Sequence, residues 1–284
     1  MKVSTLIAGY FKLDGGAMFG VVPKVMWHKL NPSDENNMCS WAMRSLLIEV
    51  EDRRILVDTG IGDKQGEKFK SHFYPSGNNI TQSLAEVGLT PADITDVLLT
   101  HLHFDHCGDA TEYDAQGNIV PTFPNATYWS NKKHWDWALE MNPREAASFL
   151  VENFVPLQEQ GVLKFIETDP DQPIEWMHGI RIRESNGHTR SMMLPDLPYG
   201  NSRLVFMADL MPASFFIPLP YIMAYDLWPF RTLEEKEAFL EEAFIGNYTL
   251  VFQHDPVTAS ARLIRDEKGR IRAGEKSTGL LAPV

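Results

Sequence analysis

Residues 97–108 place a group of metal-binding side chains directly after a short apolar run. Within six positions the chain carries three histidines and one aspartate, namely His101, His103, Asp105 and His106. Near the end of an extended run, side chains two positions apart point the same way, so His101 and His103 can hold one metal ion together. Asp105 and His106 lie beyond the turn and could serve a second ion at bridging distance.

A single histidine near a strand end is usually a surface residue or a hydrogen-bonded core residue. This cluster differs, because histidine is infrequent in the chain, at 9 of 284 residues. At that frequency a chance HxHxDH pattern is expected on the order of once in a couple of thousand chains of this length. The pattern therefore indicates a metal site.

Three further segments place polar side chains where an apolar strand is expected to stop. They are Asn186-Gly187-His188, Phe206-Met207-Ala208-Asp209 and Phe252-Gln253-His254-Asp255. Taken singly, each is more typical of a turn or a cap. A site for two metal ions needs more donors than the first cluster supplies, so together these segments complete a ligand set.

This set closely resembles the signature of the metallo-β-lactamase superfamily, which is HxHxDH followed by a Gly-His, an Asp and a His in that order. The gaps are 82 residues from His106 to His188, then 21 to Asp209 and 45 to His254. The resemblance implies an α/β fold, a four-layer αββα sandwich with the metal site at one edge of the sheets. The run over residues 11–24 is similar to the methyl parathion hydrolase-like and quorum-quenching lactonase-like branch.

The resemblance also implies a role for each matching residue. The first metal ion would be bound by His101, His103 and His188. The second would be bound by Asp105, His106 and His254, with Asp209 bridging the two ions. Asp58, which ends the apolar run Ile55–Val57, would orient a metal-bound histidine.

The charges of such a site suggest its chemistry. The positive charge of two divalent cations exceeds the negative charge of the Asp105 and Asp209 carboxylates. The centre would therefore lower the pKa of a bridging water and stabilise an oxyanion. The resulting hydroxide would attack a carbonyl or phosphoryl centre, and Asp105 or Asp209 would relay a proton to the leaving group. The prediction is a metal-dependent hydrolase of a small, neutral, apolar ester, lactone or phosphotriester. Zinc is the favoured metal, with manganese or iron as alternatives.

Other functions share much of this ligand set. A mononuclear iron sulfur dioxygenase and a glyoxalase II-like thioesterase are the enzymatic alternatives, and a non-catalytic metal-binding protein is the third. The antibiotic-hydrolysing zinc enzymes commonly carry a cysteine where Asp209 stands. The resemblance therefore disfavours a β-lactamase.

The uncharged segment Leu210–Tyr225 follows Asp209 directly and is rich in proline and aromatic residues. Its prolines prevent a continuous helix, so an apolar loop is expected. We predict that four of its aromatic side chains form the wall of a substrate pocket: Phe215, Phe216, Tyr221 and Tyr225. The alternative is that these rings pack in the core or at a dimer interface.

Short apolar runs alternate with helical patterns along the chain, which favours one α/β domain over residues 1–284. Strands are expected over 3–8, 45–50, 55–57, 97–100, 162–166, 180–183, 204–207 and 249–252. Two capping boxes predict helix starts. One is Asn142-Pro143-Arg144-Glu145, with a helix running toward Gly161, and the other is Thr232-Leu233-Glu234-Glu235, with a helix ending at Gly246.

The composition limits the partners and the compartment. A formal net charge of -12 repels polyphosphates and anionic lipid, so a small-molecule substrate is expected, with neither nucleic acid nor membrane as a partner. Two cysteines, Cys39 and Cys107, form no disulfide framework, and residues 1–14 lack the pattern of a signal peptide. A cytoplasmic enzyme is expected, and the exposed aromatic loop would be a natural surface for a homodimer.

Overall fold

The computed structural model describes all 284 residues. It contains a set of short helices and one long one: α1 (Gly15–Phe19), α2 (Lys24–Trp27), α3 (Glu67–Phe73), α4 (Ile80–Glu86), α5 (Phe104–Cys107), α6 (Lys132–Glu140), α7 (Val155–Glu159) and α8 (Pro229–Ile245). Single 3₁₀ turns occupy Pro91–Asp93, Gly108–Ala110, Ala146–Ser148, Val151–Asn153 and Ser214–Phe216. The structure holds no helix with the length and apolar content that crossing a bilayer requires.

The chain divides into two compact units, each built from two stretches of sequence. Unit 1 comprises residues 1–11 and 42–167, and unit 2 comprises residues 12–41 and 168–284. Neither unit is a continuous segment, because the chain passes from one to the other and back. The prediction of one domain over residues 1–284 stays a prediction.

The first sheet has six strands, in the order β1-β2-β3-β4-β7-β8, and all of its residues belong to unit 1 except 12–14 of β1 and 38–41 of β2. With the separate hairpin of β5 and β6, the strands are β1 (Lys2–Asp14), β2 (Met38–Val50), β3 (Arg53–Val57), β4 (Asp96–Leu98), β5 (Thr111–Tyr113), β6 (Ile119–Pro121), β7 (Thr127–Asn131) and β8 (Leu163–Ile166). Strands β3, β4, β7 and β8 pair in parallel. Parallel strands are usually buried on both faces, and Val97 and Leu98 of β4 are indeed fully buried.

The sheet of unit 2 has seven strands, in the order β15-β14-β13-β12-β11-β10-β9. They are β9 (Ile174–Met177), β10 (Ile180–Ser185), β11 (Met192–Tyr199), β12 (Ser202–Phe206), β13 (Thr249–Val251), β14 (Ser260–Arg265) and β15 (Ile271–Ser277). All neighbours are antiparallel except β12 and β13, which run in parallel. The carboxyl ends of β12 and β13 therefore meet at one edge of this sheet.

The structure confirms a mixed α/β chain with several sheets, and each of the eight predicted apolar runs overlaps a strand. Four of the runs extend one or two residues beyond the observed strand, namely 97–100, 162–166, 204–207 and 249–252. One predicted helix is also confirmed, since α8 ends at Ile245 before Gly246, although it begins at Pro229 rather than at Thr232. The helix predicted from Asn142 is wrong. Residues 146–153 form two 3₁₀ turns, and only Val155–Glu159 is α-helical.

Candidate metal centre

In unit 1 the HxHxDH residues lie at the carboxyl end of β4. The strand ends at Leu98, and the chain turns through His101 and His103 into the one-turn helix α5. Gly108 allows this turn to approach the backbone of Ile61, because a Cβ at position 108 would overlap the Ile61 carbonyl. In a parallel sheet this edge is the usual place for a binding site.

The four motif side chains of unit 1 converge. Potential ligand atoms lie within 4.8 Å of one another for His101 with His103, for His101 with His106, and for Asp105 with His106. The ring centroids of His101 and His106 are 3.8 Å apart, and those of His101 and His103 are 4.5 Å apart. All four side chains are buried. Buried imidazoles and a carboxylate at these separations form a donor set that suits Zn²⁺, Mn²⁺ or Fe²⁺.

Asp58 fixes one of these histidines. Its carboxylate accepts hydrogen bonds from the backbone N–H and the hydroxyl of Thr100, both at 2.8 Å, and its Oδ2 lies 2.9 Å from His106 Nδ1. Asp58 has a φ of 57°, so the backbone itself adopts a left-handed conformation at this residue. The structure thus places Asp58 against His106, as expected for an orienting carboxylate.

A second carboxylate in unit 1 contacts His103. Glu145 is buried, and its Oε1 lies 2.8 Å from His103 Nε2. Its other oxygen accepts hydrogen bonds from Trp137 Nε1 at 2.7 Å and from Asn142 Nδ2 at 3.0 Å. Two histidines of unit 1 are therefore each held by a buried carboxylate.

Unit 2 brings together its own three predicted ligands. His188 follows β10, Asp209 follows β12, and His254 follows β13. The Asp209 carboxylate lies between the two imidazoles, with Oδ2 at 3.2 Å from His188 Nε2 and Oδ1 at 3.1 Å from His254 Nε2. The two oxygens of Asp209 thus face two different histidines.

Neighbouring side chains orient this second cluster. Asp226 Oδ1 lies 2.9 Å from His188 Nδ1, and the Thr232 hydroxyl donates to Asp226 Oδ2 at 2.9 Å. Glu235 accepts from the Ser185 hydroxyl at 2.6 Å and from the Asn186 backbone N–H at 2.9 Å, which holds the turn before His188. The His254 backbone N–H donates to the Pro212 carbonyl at 2.8 Å.

These contacts determine the tautomers of two histidines, His103 and His106. A carboxylate only accepts hydrogen bonds, so the ring nitrogen that faces it must carry the proton. His106 is then protonated at Nδ1 and carries its lone pair on Nε2, whereas His103 is protonated at Nε2 and carries its lone pair on Nδ1. His188 faces a carboxylate at each ring nitrogen, Asp226 at Nδ1 and Asp209 at Nε2, and both contacts favour a proton. Carboxylates that orient the far nitrogen of a histidine in this way are typical of metal sites.

Cys107 adjoins the motif but is buried and donates its thiol to the Leu102 carbonyl at 3.3 Å. Burial raises the pKa of this thiol well above its ordinary value. Beneath the same turn, Lys64 donates to the Gly108 carbonyl, and burial lowers the pKa of its ammonium group. Burial also raises the pKa of Asp109 to about 7. The buried Cys107 is therefore an inert packing residue.

The four aromatic residues predicted to form the pocket occupy different environments in unit 2. Phe216 is buried and stacks on Phe19, with ring centroids 5.4 Å apart. Phe215 and Tyr221 line a groove of about 870 Å³, and Tyr225 is exposed. The assignment of these residues to a substrate pocket stays a prediction.

Sequence reasoning missed Glu145, Asp226 and Glu235. Glu145 and Glu235 each stand fourth in a capping box, which is why their sequence context points to helix capping alone. Asp226 lies within a proline-flanked loop, 38 residues from the histidine that it contacts. No local pattern links the two positions.

A model of the metallo-beta-lactamase superfamily matches residues 44–180. Among solved structures, the chain resembles a probable metal-dependent hydrolase from Staphylococcus aureus, with a TM-score of 0.85, 28% identity and coverage of 97% of this chain and 95% of that one. It also resembles AidC, described as a dizinc quorum-quenching lactonase, with a TM-score of 0.75, 21% identity and coverage of 97% and 94%. These likenesses confirm the predicted fold.

A curated relative is the N-acyl homoserine lactonase AiiB of Agrobacterium fabrum. It is 27% identical over 99 residues, which make up 31% of this chain. The match spans 36% of the length of that relative.

Proposed function

The chain belongs to the metallo-β-lactamase superfamily, as its sequence predicted, and from that premise we propose that it is a dinuclear metal-dependent hydrolase of a small, neutral, apolar substrate. The ligands would be His101, His103 and His188 for one ion and Asp105, His106 and His254 for the other, with Asp209 bridging. Two zinc ions are the proposed cofactor, with manganese or iron as alternatives. When bound, the ions would supply a nucleophile at neutral pH and stabilise negative charge on an oxygen.

The observation that carries this proposal is the position of the Asp209 carboxylate. Its two oxygens face two histidines, at 3.2 Å and 3.1 Å, and the signature assigns these histidines to different metal ions. A carboxylate held between two imidazoles in this way can share its oxygens between two cations. The mutual contacts of the four motif residues support the same conclusion independently.

The chain's own residues have distinct tasks in the proposed reaction. Asp58, Glu145 and Asp226 fix the rings of His106, His103 and His188. Asp105 and Asp209 are the only carboxylates among the proposed ligands, and either would accept the proton of the attacking water and pass it to the leaving group. A buried position for both carboxylates strengthens their interaction with charge that develops on the substrate.

We propose a lactone or carboxylic ester as the substrate class, with phosphotriesters also included. AiiB and AidC, to which this chain is similar, are both described as lactonases. The groove of about 870 Å³ that Phe215 and Tyr221 line offers apolar surface, since Ile217, Leu219 and Leu240 also contribute to it. Phe215 and Tyr221 are the proposed contacts for an apolar part of the substrate.

The proposed compartment is the cytoplasm, where the two buried free thiols of Cys39 and Cys107 would stay reduced. The proposed partners are a small molecule and a second copy of the chain. Exposed apolar side chains near α2, at Val21, Val25 and Met26, support a dimer surface. Light scattering after gel filtration tests the dimer.

The proposed function is tested with zinc-loaded protein on a panel of lactones, esters and phosphotriesters of graded chain length. We expect measurable kcat/KM on at least one of these classes, loss of activity in Asp209→Ala, and a dependence on chain length that Tyr221→Phe or Phe215→Ala alters. Hydrolysis that persists in Asp209→Ala would refute the dinuclear mechanism. Chain-length dependence that neither aromatic variant changes would remove the groove from the substrate site.

A further inference from the structure

Glu145 is a buried carboxylate that contacts a proposed metal ligand, His103, and two fixed donors, Trp137 and Asn142. Its Oε1 lies 2.8 Å from His103 Nε2, while Oε2 accepts from Trp137 Nε1 at 2.7 Å and Asn142 Nδ2 at 3.0 Å. We propose that Glu145 is a positioning residue that selects the tautomer of His103 in which Nε2 carries the proton and Nδ1 carries the lone pair that would bind a cation. This inference rests on the proposed function and extends it to a residue outside the ligand set.

The two groups that donate to Glu145 Oε2 cannot become hydrogen-bond acceptors. The indole nitrogen of Trp137 has a proton and no lone pair for a hydrogen bond, so it is a donor only. The amide group of Asn142 is also fixed, because its Oδ1 accepts from the backbone N–H groups of Arg144 at 3.1 Å and of Glu145 at 3.2 Å. Its NH₂ group must therefore point toward Glu145.

These constraints make the substitution Glu145→Gln unusually informative. The new amide has one oxygen, and two donors that cannot turn away require that oxygen. Its NH₂ group must then face His103 Nε2, which has to become an acceptor. The ring proton would move to Nδ1, and the lone pair that the cation needs would be lost.

Asp226 provides the matched control in unit 2. Its Oδ1 lies 2.9 Å from His188 Nδ1, and its Oδ2 accepts from the Thr232 hydroxyl at 2.9 Å. A hydroxyl can donate or accept, and Thr232 Oγ1 lies 3.5 Å from the Trp228 carbonyl, to which it can turn its proton. In Asp226→Asn the NH₂ group can therefore face Thr232, the amide oxygen stays on His188 Nδ1, and the proton on Nδ1 is kept.

The experiment records the ring ¹⁵N shifts of the histidines in metal-free protein, at a pH where the imidazoles are neutral. It compares the wild type, Glu145→Gln and Asp226→Asn, and a competition titration then measures zinc affinity for each. We expect His103 to carry its proton on Nε2 in the wild type and on Nδ1 in Glu145→Gln, with zinc affinity lowered about 10- to 100-fold. We expect His188 to keep its Nδ1 proton in Asp226→Asn, with a much smaller change in affinity.

A rescue variant separates this effect from damage to the fold. Adding Trp137→Phe and Asn142→Asp to Glu145→Gln removes one fixed donor and supplies an acceptor for the NH₂ group. The amide oxygen can then face His103 again, so the Nε2 proton and the zinc affinity should return. A failure of this rescue in a folded protein contradicts the inference.

Two results would overturn the inference, one measured on the wild type and one on Glu145→Gln. A wild-type His103 protonated on Nδ1 contradicts it even if Glu145→Gln does not fold. An unchanged His103 tautomer in folded Glu145→Gln contradicts it as well. If the tautomer changes as expected but the wild type binds no metal ion, the proposed function fails while the control of His103 by Glu145 stands.

Discussion

The two clusters of proposed ligands are built differently. In unit 1, four side chains come from six consecutive positions after one parallel strand, whereas in unit 2 three side chains come from the ends of β10, β12 and β13. The first cluster is therefore local in sequence, and the second depends on the pairing of distant strands. Both nevertheless use the same device, which is a buried carboxylate behind a histidine.

The comparison shows that ligands on a local turn and ligands at separate strand ends are held in place by different contacts. A local motif supplies several ligands at once, but the turn that carries it must be held from behind, by Asp58 and Glu145 in this case. Ligands at separate strand ends are placed by the sheet itself. In unit 2 the turn before His188 still needs Glu235, which holds Asn186.

The largest expected effect is the loss of one histidine from either cluster. We expect His106→Ala in unit 1 and His254→Ala in unit 2 to lose bound metal and to lower kcat/KM on the order of 10³-fold or more, because each removes a ligand from the charged centre. Elemental analysis and initial rates measure both effects. His72→Ala, which removes an exposed histidine of α3, serves as the control. Full activity in only one of the two ligand variants would show that the clusters do not act together.

The next effect concerns the stability of unit 2 rather than its chemistry. Phe216 is buried against Phe19 and Trp41, so Phe216→Ala should lower the free energy of unfolding by about 3–5 kcal/mol. Denaturant unfolding measures this change. Phe230→Ala, at a side chain that is 82% exposed, should change it by less than about 0.5 kcal/mol. Equal effects of the two substitutions would contradict a packing role for Phe216.

A smaller effect is expected at the carboxylate behind His106. Asp58→Asn retains the shape of the side chain but replaces an acceptor that faces His106 Nδ1 and the Thr100 hydroxyl. We expect zinc affinity to fall about 10- to 100-fold. Competition with a chelator measures it, and Glu49→Gln, at a residue that pairs with Lys2 on the surface of β2, is the matched control. An unchanged affinity in Asp58→Asn would show that the histidine rings are held by packing alone.

A separate effect in unit 2 is a pH dependence of the free energy of unfolding. Lys236 is fully buried and donates to the carbonyls of Pro218, Leu219 and Tyr221, and burial lowers its pKa to about 7 from an ordinary value of 10.5. Between pH 7 and pH 10.5 the unfolded chain binds more protons at Lys236 than the folded chain does. Lys236 therefore makes the free energy of unfolding rise with pH across this range and fall as the pH drops toward 7. Denaturant unfolding across this range should show the slope in the wild type and its reduction in Lys236→Met. The same slope in both proteins would exclude Lys236 as the source.

Much of the fold could be predicted because apolar runs of four to eight residues are strong strand signals. The eight runs all overlap strands, and the metal-binding segments follow strand ends as expected. The wrong helix at Asn142 has a specific cause. Glu145 uses its carboxylate on His103, Trp137 and Asn142 Nδ2, and the chain around it forms 3₁₀ turns.

The late start predicted for α8 has the same cause. Thr232 donates its hydroxyl to Asp226, and Glu235 reaches Ser185 and Asn186, so both members of the second capping box serve the turn at His188. A short local pattern predicts capping when nothing else competes for the side chain. It fails where the same side chain has a partner from a distant strand, which no single sequence reveals.

The most direct test of the central proposal is the metal content of protein purified without added metal, measured beside His103→Ala and Asp209→Ala. These variants remove one ligand from each cluster. We predict two zinc or manganese ions per chain in the wild type and a lower content in both variants, because Asp209 would serve both ions. One iron ion per chain that persists in Asp209→Ala would contradict the dinuclear hydrolase and favour an iron dioxygenase.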